Sequence, residues 1–285
     1  MNENKTNINW FPGHMAKTRR EIKEKLDLVD IVYEVIDARM PISSKIIDLD
    51  DLIKDKKRII IVTKYDLCDK EKTDKLLENY KKKYEVITLN LKDNSKFSIK
   101  TLINKTNLLL KDINDSRIKK GLKPRIYRAI VIGAPNVGKS TLINKISGKN
   151  NLKTGNRAGI TKGISWIKIN NTIEIMDTPG ILYPKIESAK IGFTLASLSS
   201  INEDILDKET IASYIISYLY ENYKNILIER YHLHNNIEFN LENIFNLIAK
   251  NTNSYKKGNI PDLDRVYTII INDLKNERIN NITFD

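Results

Sequence analysis

Cysteine is nearly absent from this 285-residue chain, because Cys68 is the only one. A single thiol cannot form an internal disulfide, and without a second thiol it cannot build a cysteine-based metal site. Long apolar runs are missing as well, since no stretch approaches the roughly 18 residues needed to cross a bilayer. The first residues, MNENKTNINW, lack the charged-then-apolar layout of a secretory signal. We therefore expect a cytoplasmic protein with no membrane partner.

Acidic residues are outnumbered, because 48 lysines and arginines face 36 aspartates and glutamates, for a net charge of +12. The excess positive charge is distributed unevenly along the chain. Residues 205–285 hold 9 basic and 11 acidic residues, a net of −2, which leaves +14 on residues 1–204. Clustered positive charge displaces condensed counterions from nucleic acid. The composition therefore predicts a polyanionic partner, with the excess charge on the first two thirds of the chain.

Short β-branched runs alternate with charged segments of helical spacing through most of the chain. DIVYEVIDARMP (30–41), KKRIIIVTKYD (56–66) and YEVITLN (84–90) have the apolar centre and polar end of interior parallel strands, and YRAIVIG (127–133) repeats the pattern. ISWIKINNTIEIMDTPG (164–180) predicts a hairpin, because two alternating runs flank an Asn-Asn pair. This alternation predicts an α/β fold with a largely parallel sheet.

The pattern changes after about residue 196. Apolar residues then recur at helical spacing in KETIASYIISYLYENY, FNLENIFNLIAKNTN and DLDRVYTIIINDLKNERI. We therefore predict two domains, an α/β domain over residues 1–196 and a small all-helical domain over residues 197–285.

A phosphate-binding pattern follows the fourth predicted strand. GAPNVGKST, from Gly133 to Thr141, satisfies G-x-x-x-x-G-K-[ST] and precedes a helical segment. The backbone N–H groups of such a loop surround a β-phosphate, while Lys139 reaches the β- and γ-phosphates and the Ser140 hydroxyl binds Mg²⁺. The alternative is a glycine-rich turn without a ligand. The predicted nucleotide contacts in this loop are Asn136, Val137, Gly138, Lys139, Ser140 and Thr141.

Two further segments complete a nucleotide site on this interpretation. DTPG closes an apolar strand, so Asp177 is placed to hold Mg²⁺ through water and the Gly180 amide to sense a γ-phosphate. Thr161, in AGITKG between the phosphate loop and DTPG, is predicted to complete the metal shell when a mobile loop closes.

The tetrapeptide Thr63-Lys64-Tyr65-Asp66 resembles the [NT]-K-x-D motif that recognises guanine. The Asp66 carboxylate would accept hydrogen bonds from guanine N1–H and the 2-amino group, which adenine cannot supply in the same way. By itself the tetrapeptide is equally consistent with a loop without a ligand. Asn90 and Leu91 end the next strand, where a base-stacking loop is expected.

The order of these motifs is base reader, base loop, phosphate loop, switch loop and DTPG, which is a circular permutation of the Ras-like order. A packed core tolerates such a permutation, because domain termini often lie close together.

Taken together, the motifs resemble the circularly permuted GTPases, and most closely the ribosome biogenesis GTPase A family. The resemblance extends over nearly the whole chain and includes NWFPGHMAK, DARMP, TKYD, GAPNVGKST, GITKG, DTPGIL and KGNIPDLDR. The chain departs from the family at Thr63, where asparagine is usual, at residues 90–92, and at residues 259–261, where a glycine pair is common. The resemblance implies a cytoplasmic GTPase that binds the large ribosomal subunit precursor, with its helical tail on ribosomal RNA. We expect the protein to be a monomer.

The residue that activates water is not the usual one. In Ras-like enzymes a glutamine after the DxxG glycine orients the attacking water, but this chain has Ile181 there, so we expect slow basal turnover. The resemblance gives the role to His14, which can accept a proton near neutral pH. The alternative is a solvated histidine in an aromatic anchor.

Asn136 matches an asparagine linked to K⁺ in related GTPases. The alternative is that it only stabilises the turn after Pro135.

Two other functions compete with a GTPase. One is a nucleotide-gated RNA-binding scaffold with negligible hydrolysis. The other is an ATP-using phosphate-loop enzyme, which the TKYD motif contradicts.

Overall fold

The computed structural model describes residues 13–92, 97–148, 165–169, 171–182, 186, 188–201 and 206–285. Six of its strands form one sheet. They are β1 (Ile31–Asp37), β2 (Lys57–Thr63), β3 (Glu85–Thr88), β4 (Tyr127–Gly133), β5 (Ser165–Lys168) and β6 (Ile173–Asp177).

The order of the strands across the sheet is β3-β2-β1-β4-β6-β5. All neighbours are parallel except β5, which pairs with β6 as the predicted hairpin, in a register that joins Ser165 to Asp177. Every residue of β1 is buried, as its continuous β-branched run requires of a central strand. The chain order reverses direction between β1 and β4, which is the position where open α/β sheets bind ligands.

The described part of the chain also contains ten α-helices. They are α1 (Gly13–Lys25), α2 (Leu49–Ile53), α3 (Lys70–Lys81), α4 (Phe97–Lys119), α5 (Lys139–Ser147), α6 (Ala189–Ser197), α7 (Lys208–Asn222), α8 (Lys224–Tyr231), α9 (Leu241–Asn251) and α10 (Leu263–Lys275). Side chains at the N-caps, such as Asp69 on α3 and Asp207 on α7, accept hydrogen bonds from the first turn and so fix where these helices begin.

The three predicted helices of the tail correspond to α7, α9 and α10. A fourth helix, α8, was not predicted, because it is short and begins only one residue after α7 ends. A two-stranded ribbon, β7 (Tyr255–Lys256) and β8 (Ile260–Pro261), precedes α10. None of the helices in the described ranges is both long and apolar enough to cross a membrane.

The apolar core continues from the sheet into the tail. One cluster of buried side chains contains Val35 and Val131 of the sheet together with Ile215 of α7 and Ile270 of α10. The last stretch of the sequence, residues 279–285, here called the closing segment, returns to the sheet. Its backbone donates hydrogen bonds from Ile282 to Leu67 (3.3 Å) and from Phe284 to Arg39 (2.7 Å). The tail therefore packs on loops that follow β1 and β2.

Candidate nucleotide site

Most of the predicted motifs meet at one edge of the sheet. The base reader follows β2, the base loop follows β3, the phosphate loop follows β4 and DTPG follows β6. Because these strands are parallel, their carboxyl ends lie at the same edge. The permuted chain order therefore still brings the base-reading and phosphate-binding segments together.

The phosphate loop connects β4 to α5 through two residues with positive φ, Asn136 (61°) and Gly138 (96°). The Lys139 side chain is buried, and its Nζ donates hydrogen bonds to the carbonyls of Gly133 (3.0 Å) and Ala134 (2.7 Å). Burial lowers the pKa of Lys139 to about 8, while the nearby charge of Asp177 partly opposes this shift. The lysine therefore lies folded within the loop, beside the backbone that would surround a phosphate.

Asp177 lies at the end of β6 with its carboxylate fully buried. No side chain of a described residue donates a hydrogen bond to either of its oxygens, and such a group is costly to bury. Burial raises the pKa of Asp177 to about 6, although the charge of Lys139 acts in the opposite direction. Carboxylate oxygens are ligands suited to Mg²⁺, so this residue fits the predicted metal role.

DTPG and the phosphate loop touch. A Cβ atom built on Gly180 would lie 2.7 Å from Pro135 Cα, so a side chain there would force the two loops apart. The Ile181 N–H donates to the Gly133 carbonyl (3.1 Å), and the Ile181 side chain is buried in the apolar core. The position that holds glutamine in Ras-like enzymes is therefore part of the core here.

The base reader is bonded to the phosphate loop. The Thr63 hydroxyl donates to the Val137 carbonyl at 2.5 Å and lies 3.1 Å from the Ile36 carbonyl, and the Lys64 ammonium donates to the Asn136 carbonyl at 2.7 Å. A Cβ built on Gly138 would lie 3.5 Å from Thr63 Oγ1. The threonine that replaces the usual asparagine therefore joins the two motifs with its single hydroxyl group.

The other two residues of the base reader differ in their surroundings. Asp66 is half-buried, and its side chain makes no hydrogen bond to the described residues around it. The Tyr65 hydroxyl donates to Asp74 of α3 (2.8 Å), which directs the ring toward that helix. The single carboxylate of this motif, Asp66, therefore has no hydrogen bond to the protein in the described structure.

Sequence reasoning missed Asp37, the last residue of β1. Its buried carboxylate lies 2.9 Å from Lys64 Nζ and accepts hydrogen bonds from the Arg39 side chain at 3.0 and 2.8 Å. Burial opposes ionisation, but the charges of Arg39 and Lys64 hold the pKa of Asp37 below its usual range. The signal was the DARMP stretch at the carboxyl end of a buried strand.

Asn136 also connects the site to the tail. Its Nδ2 donates to the Ser199 carbonyl (2.6 Å), and the Ser200 hydroxyl donates to the Pro135 carbonyl (2.8 Å). The segment just after α6 is therefore bonded directly to the phosphate loop. No local sequence pattern pointed to these two serines.

The remaining predicted residues have less structural detail. Asn90 is exposed and caps the Lys92 N–H (2.8 Å), while the Leu91 carbonyl accepts a hydrogen bond from Lys145 of α5 (2.9 Å). Ser140 is half-buried and Thr141 is exposed, both in the first turn of α5.

Two predicted residues fall partly or wholly outside the described structure. Thr161 lies outside the described residues. His14 is in the first turn of α1, but its side chain is outside the described part of the structure. Within the described ranges no cluster of three or more His, Cys, Asp or Glu side chains is arranged for a metal.

Comparison with known proteins agrees with this geometry. The sequence model of a family described as "50S ribosome-binding GTPase" matches residues 128–238. Ribosome biogenesis GTPase A of Bacillus cereus is 38% identical over 279 residues, which cover 98% of this chain and 93% of that protein. Its counterpart from Thermotoga maritima is 31% identical over 98% of this chain and 94% of its own length.

Two solved structures share the fold. GNP-bound YlqF from Thermotoga maritima has a TM-score of 0.63 at 28% identity and covers 94% of this chain and 97% of its own. A GDP-bound structure of YlqF has a TM-score of 0.64 at 29% identity, with coverages of 93% and 98%. The predicted fold class, a permuted phosphate-loop GTPase domain followed by a helical region, is confirmed.

Proposed function

Since the chain belongs to the ribosome biogenesis GTPase A family, we propose that it is an assembly factor that docks on the large ribosomal subunit precursor in its GTP state. The chain is a guanine-nucleotide-binding GTPase of ribosome biogenesis. The observation that supports the proposal is the hydrogen-bonded junction between base reader and phosphate loop, because loops joined in this way can bind base and phosphates together.

The site residues take the following proposed roles. Asp66 accepts hydrogen bonds from the guanine N1–H and 2-amino groups, and no described residue occupies its carboxylate in their place. Lys139 leaves the carbonyls of its loop to contact the β- and γ-phosphates. Asp177, Ser140 and Thr161 hold Mg²⁺, which neutralises charge on the phosphates.

The hydrolytic step lacks a built-in glutamine. Ile181 is buried, so the water must be oriented by another group, which we propose to be His14 or a group of the ribosome. K⁺ near Asn136 would offset developing negative charge. We therefore expect GTP hydrolysis to be slow in the absence of the ribosome.

The partner is proposed to be ribosomal RNA, contacted in part by the tail. Lys256, Lys257 and Arg265 are exposed around the β7–β8 ribbon and the start of α10. The tail has a net negative charge, so a local patch of this kind must act together with the basic GTPase domain. We propose that the protein acts as a cytoplasmic monomer, with residues 1–196 binding the nucleotide and residues 197–285 contacting the ribosome.

Sedimentation tests this proposal. Purified protein is mixed with large-subunit precursor particles and either GDP or a non-hydrolysable GTP analogue, and the particle fraction is assayed for bound protein. We expect more bound protein with the analogue and a decrease as salt rises. Equal binding with both nucleotides would contradict control by the GTP state.

A second candidate function is favoured by the buried Ile181, namely a nucleotide-gated RNA-binding scaffold with negligible physiological hydrolysis. Phosphate release measured with and without the particles separates the two. Stimulated turnover supports the enzyme, and its absence supports the scaffold.

A further inference from the structure

A basic groove lies at the edge of the sheet opposite the nucleotide site. It has a volume of about 630 Å³ and is formed where the chain enters β2 and β3, with Leu109 of α4 beside it. Seven of its lining side chains are basic and three are acidic. The six lysines are Lys54, Lys56, Lys57, Lys81, Lys82 and Lys83.

Two of the three acidic side chains are already paired. Asp50 forms an ion pair with Arg58, and Glu85 lies 2.9 Å from Lys105 of α4. Arg58 is itself buried and also pairs with the buried Glu34 at 2.9 Å. Asp55 is the third acidic side chain, so the six lysines of the groove face one acidic group that lies outside these ion pairs.

Three of the groove lysines lie outside the ion pairs that the described residues form. Lys54, Lys81 and Lys83 are exposed and form no ion pair in the described part of the chain. The base of the groove is held in place, because the Arg58 guanidinium lies 4.3 Å from the centre of the Tyr84 ring. The groove thus presents flexible positive charges on a fixed base.

We infer that this groove binds the phosphate backbone of RNA as a contact surface separate from the nucleotide site. The residues that line the groove indicate which class of partner it binds. An interface with an acidic protein needs an apolar centre, whereas the lining contains little beyond Leu109 and Tyr84. Nucleic-acid interfaces are more polar and more positively charged. That the polyanion is RNA rests on the proposed ribosomal function.

The groove and the nucleotide site lie at opposite edges of the sheet. The groove lies at the amino ends of β2 and β3, while the nucleotide motifs follow the carboxyl ends of the strands. RNA in the groove would leave the nucleotide edge uncovered. Changes in the groove should therefore alter RNA binding and leave guanine-nucleotide affinity unchanged.

The test compares two double variants of the full chain with the same change in charge. Lys54→Glu/Lys81→Glu alters the groove. Lys119→Glu/Lys120→Glu is the control, since it changes exposed lysines outside the groove and, like the first pair, includes the last residue of a helix. Binding of a short fluorescent RNA hairpin is measured by anisotropy over a range of salt, and GDP affinity is measured in parallel.

We expect the groove variant to bind the hairpin about tenfold more weakly, with a salt slope reduced by about one for each phosphate that the variant no longer neutralises. The control should be weakened less, and all three proteins should bind GDP equally. Equal weakening in both variants would show that only net charge matters and would overturn the inference.

A second measurement separates this inference from the proposed function. Co-sedimentation with large-subunit precursor particles is repeated with the same proteins. Wild-type protein that binds the hairpin through the groove but never binds particles would contradict the ribosomal function alone. A groove variant that fails to bind particles while binding the hairpin normally would indicate an acidic protein partner and would contradict RNA.

Discussion

The Lys64 ammonium links three parts of the site. It donates to the Asn136 carbonyl of the phosphate loop and pairs with Asp37 at the end of β1. Asp37 in turn is held by Arg39, whose carbonyl accepts a hydrogen bond from the closing segment. A side chain outside the nucleotide motifs therefore fixes the lysine of the base reader.

Asp37→Asn should weaken GDP binding by about tenfold, because it removes the counter-charge that positions Lys64. It should also lower the free energy of unfolding by about 3 kcal/mol, since buried Arg39 loses its partner. Glu34→Gln is the matched control, as Glu34 is a buried carboxylate of the same strand paired with Arg58. Calorimetric titration should show normal GDP affinity for the control, and an equal loss of affinity in both variants would assign Asp37 a purely structural role.

Asp66→Asn should shift the preference from guanine toward xanthine nucleotides, because an amide can donate to the 2-oxo group but cannot accept from both guanine donors. Competition between GDP and XDP measures this shift. Asp74→Asn is the control, because Asp74 lies beside the motif and contacts only the Tyr65 ring hydroxyl there. Unchanged GDP preference in Asp66→Asn would mean that TKYD does not recognise the base.

Proton linkage should accompany nucleotide binding. The pKa of Asp177 is raised to about 6, so Mg²⁺ must displace a proton at or below that pH. The pKa of Lys139 is lowered to about 8, so phosphate binding should take up a proton above that pH. Titration calorimetry in buffers of different ionisation enthalpy should show proton release near the lower pH and uptake near the higher one. If the number of protons exchanged has the same sign at both pH values, the proposed roles of Asp177 and Lys139 are contradicted.

The loops after β4 and β6 act as one element, because Gly180 lies against Pro135 and Ile181 is bonded to Gly133. A shift of one loop must therefore move the other. With Gly180 in its proposed role, this contact would connect a γ-phosphate to both loops.

Gly180→Ala tests that connection. The added methyl would lie 2.7 Å from Pro135 Cα, so the loops must separate, and we expect binding of the GTP analogue to fall about tenfold. Gly121→Ala is the control, because its Cβ meets no atom within 4 Å although its φ of +70° makes it costly. Both variants should unfold at lower temperature, and only Gly180→Ala should lose nucleotide affinity. Normal affinity in Gly180→Ala would show that the loops move independently.

The GTPase domain and the tail share a core and are joined by the closing segment. Phe284 is fully buried and stacks 4.8 Å from the Tyr218 ring of α7, while the Thr283 hydroxyl lies 2.7 Å from that of Thr73 of α3. Docking of the tail is thus coupled to the loops that carry the base reader. By linkage, any partner that displaces the tail should change nucleotide affinity.

Unfolding should accordingly be one cooperative transition. Both tryptophans, Trp10 and Trp166, lie in residues 1–196, so their fluorescence follows the GTPase part, while circular dichroism is dominated by the helices. The two melting curves should coincide, and GDP at a hundred times its Kd should stabilise both by about 2.7 kcal/mol. Two separate transitions, or a shift in only one curve, would contradict a shared core.

The strands, the tail helices and the motif order were predictable from the sequence, because each depends on contiguous residues. A β-branched run predicts a buried strand wherever it occurs, and GAPNVGKST identifies its loop by nine consecutive positions. Parallel strands then place the motifs that follow them at one edge. Residue roles in catalysis, such as that of His14, stay predictions.

The contacts that organise the site depended on the tertiary fold. Asp37 with Lys64, Asn136 with Ser199 and the closing segment with Leu67 join residues far apart in the chain. The basic groove likewise combines the entries to two strands with a face of α4. A local pattern carries no signal for such pairs, because hydrogen-bond partners and charge neighbours are determined only when sheet order and packing bring distant segments within a few ångströms.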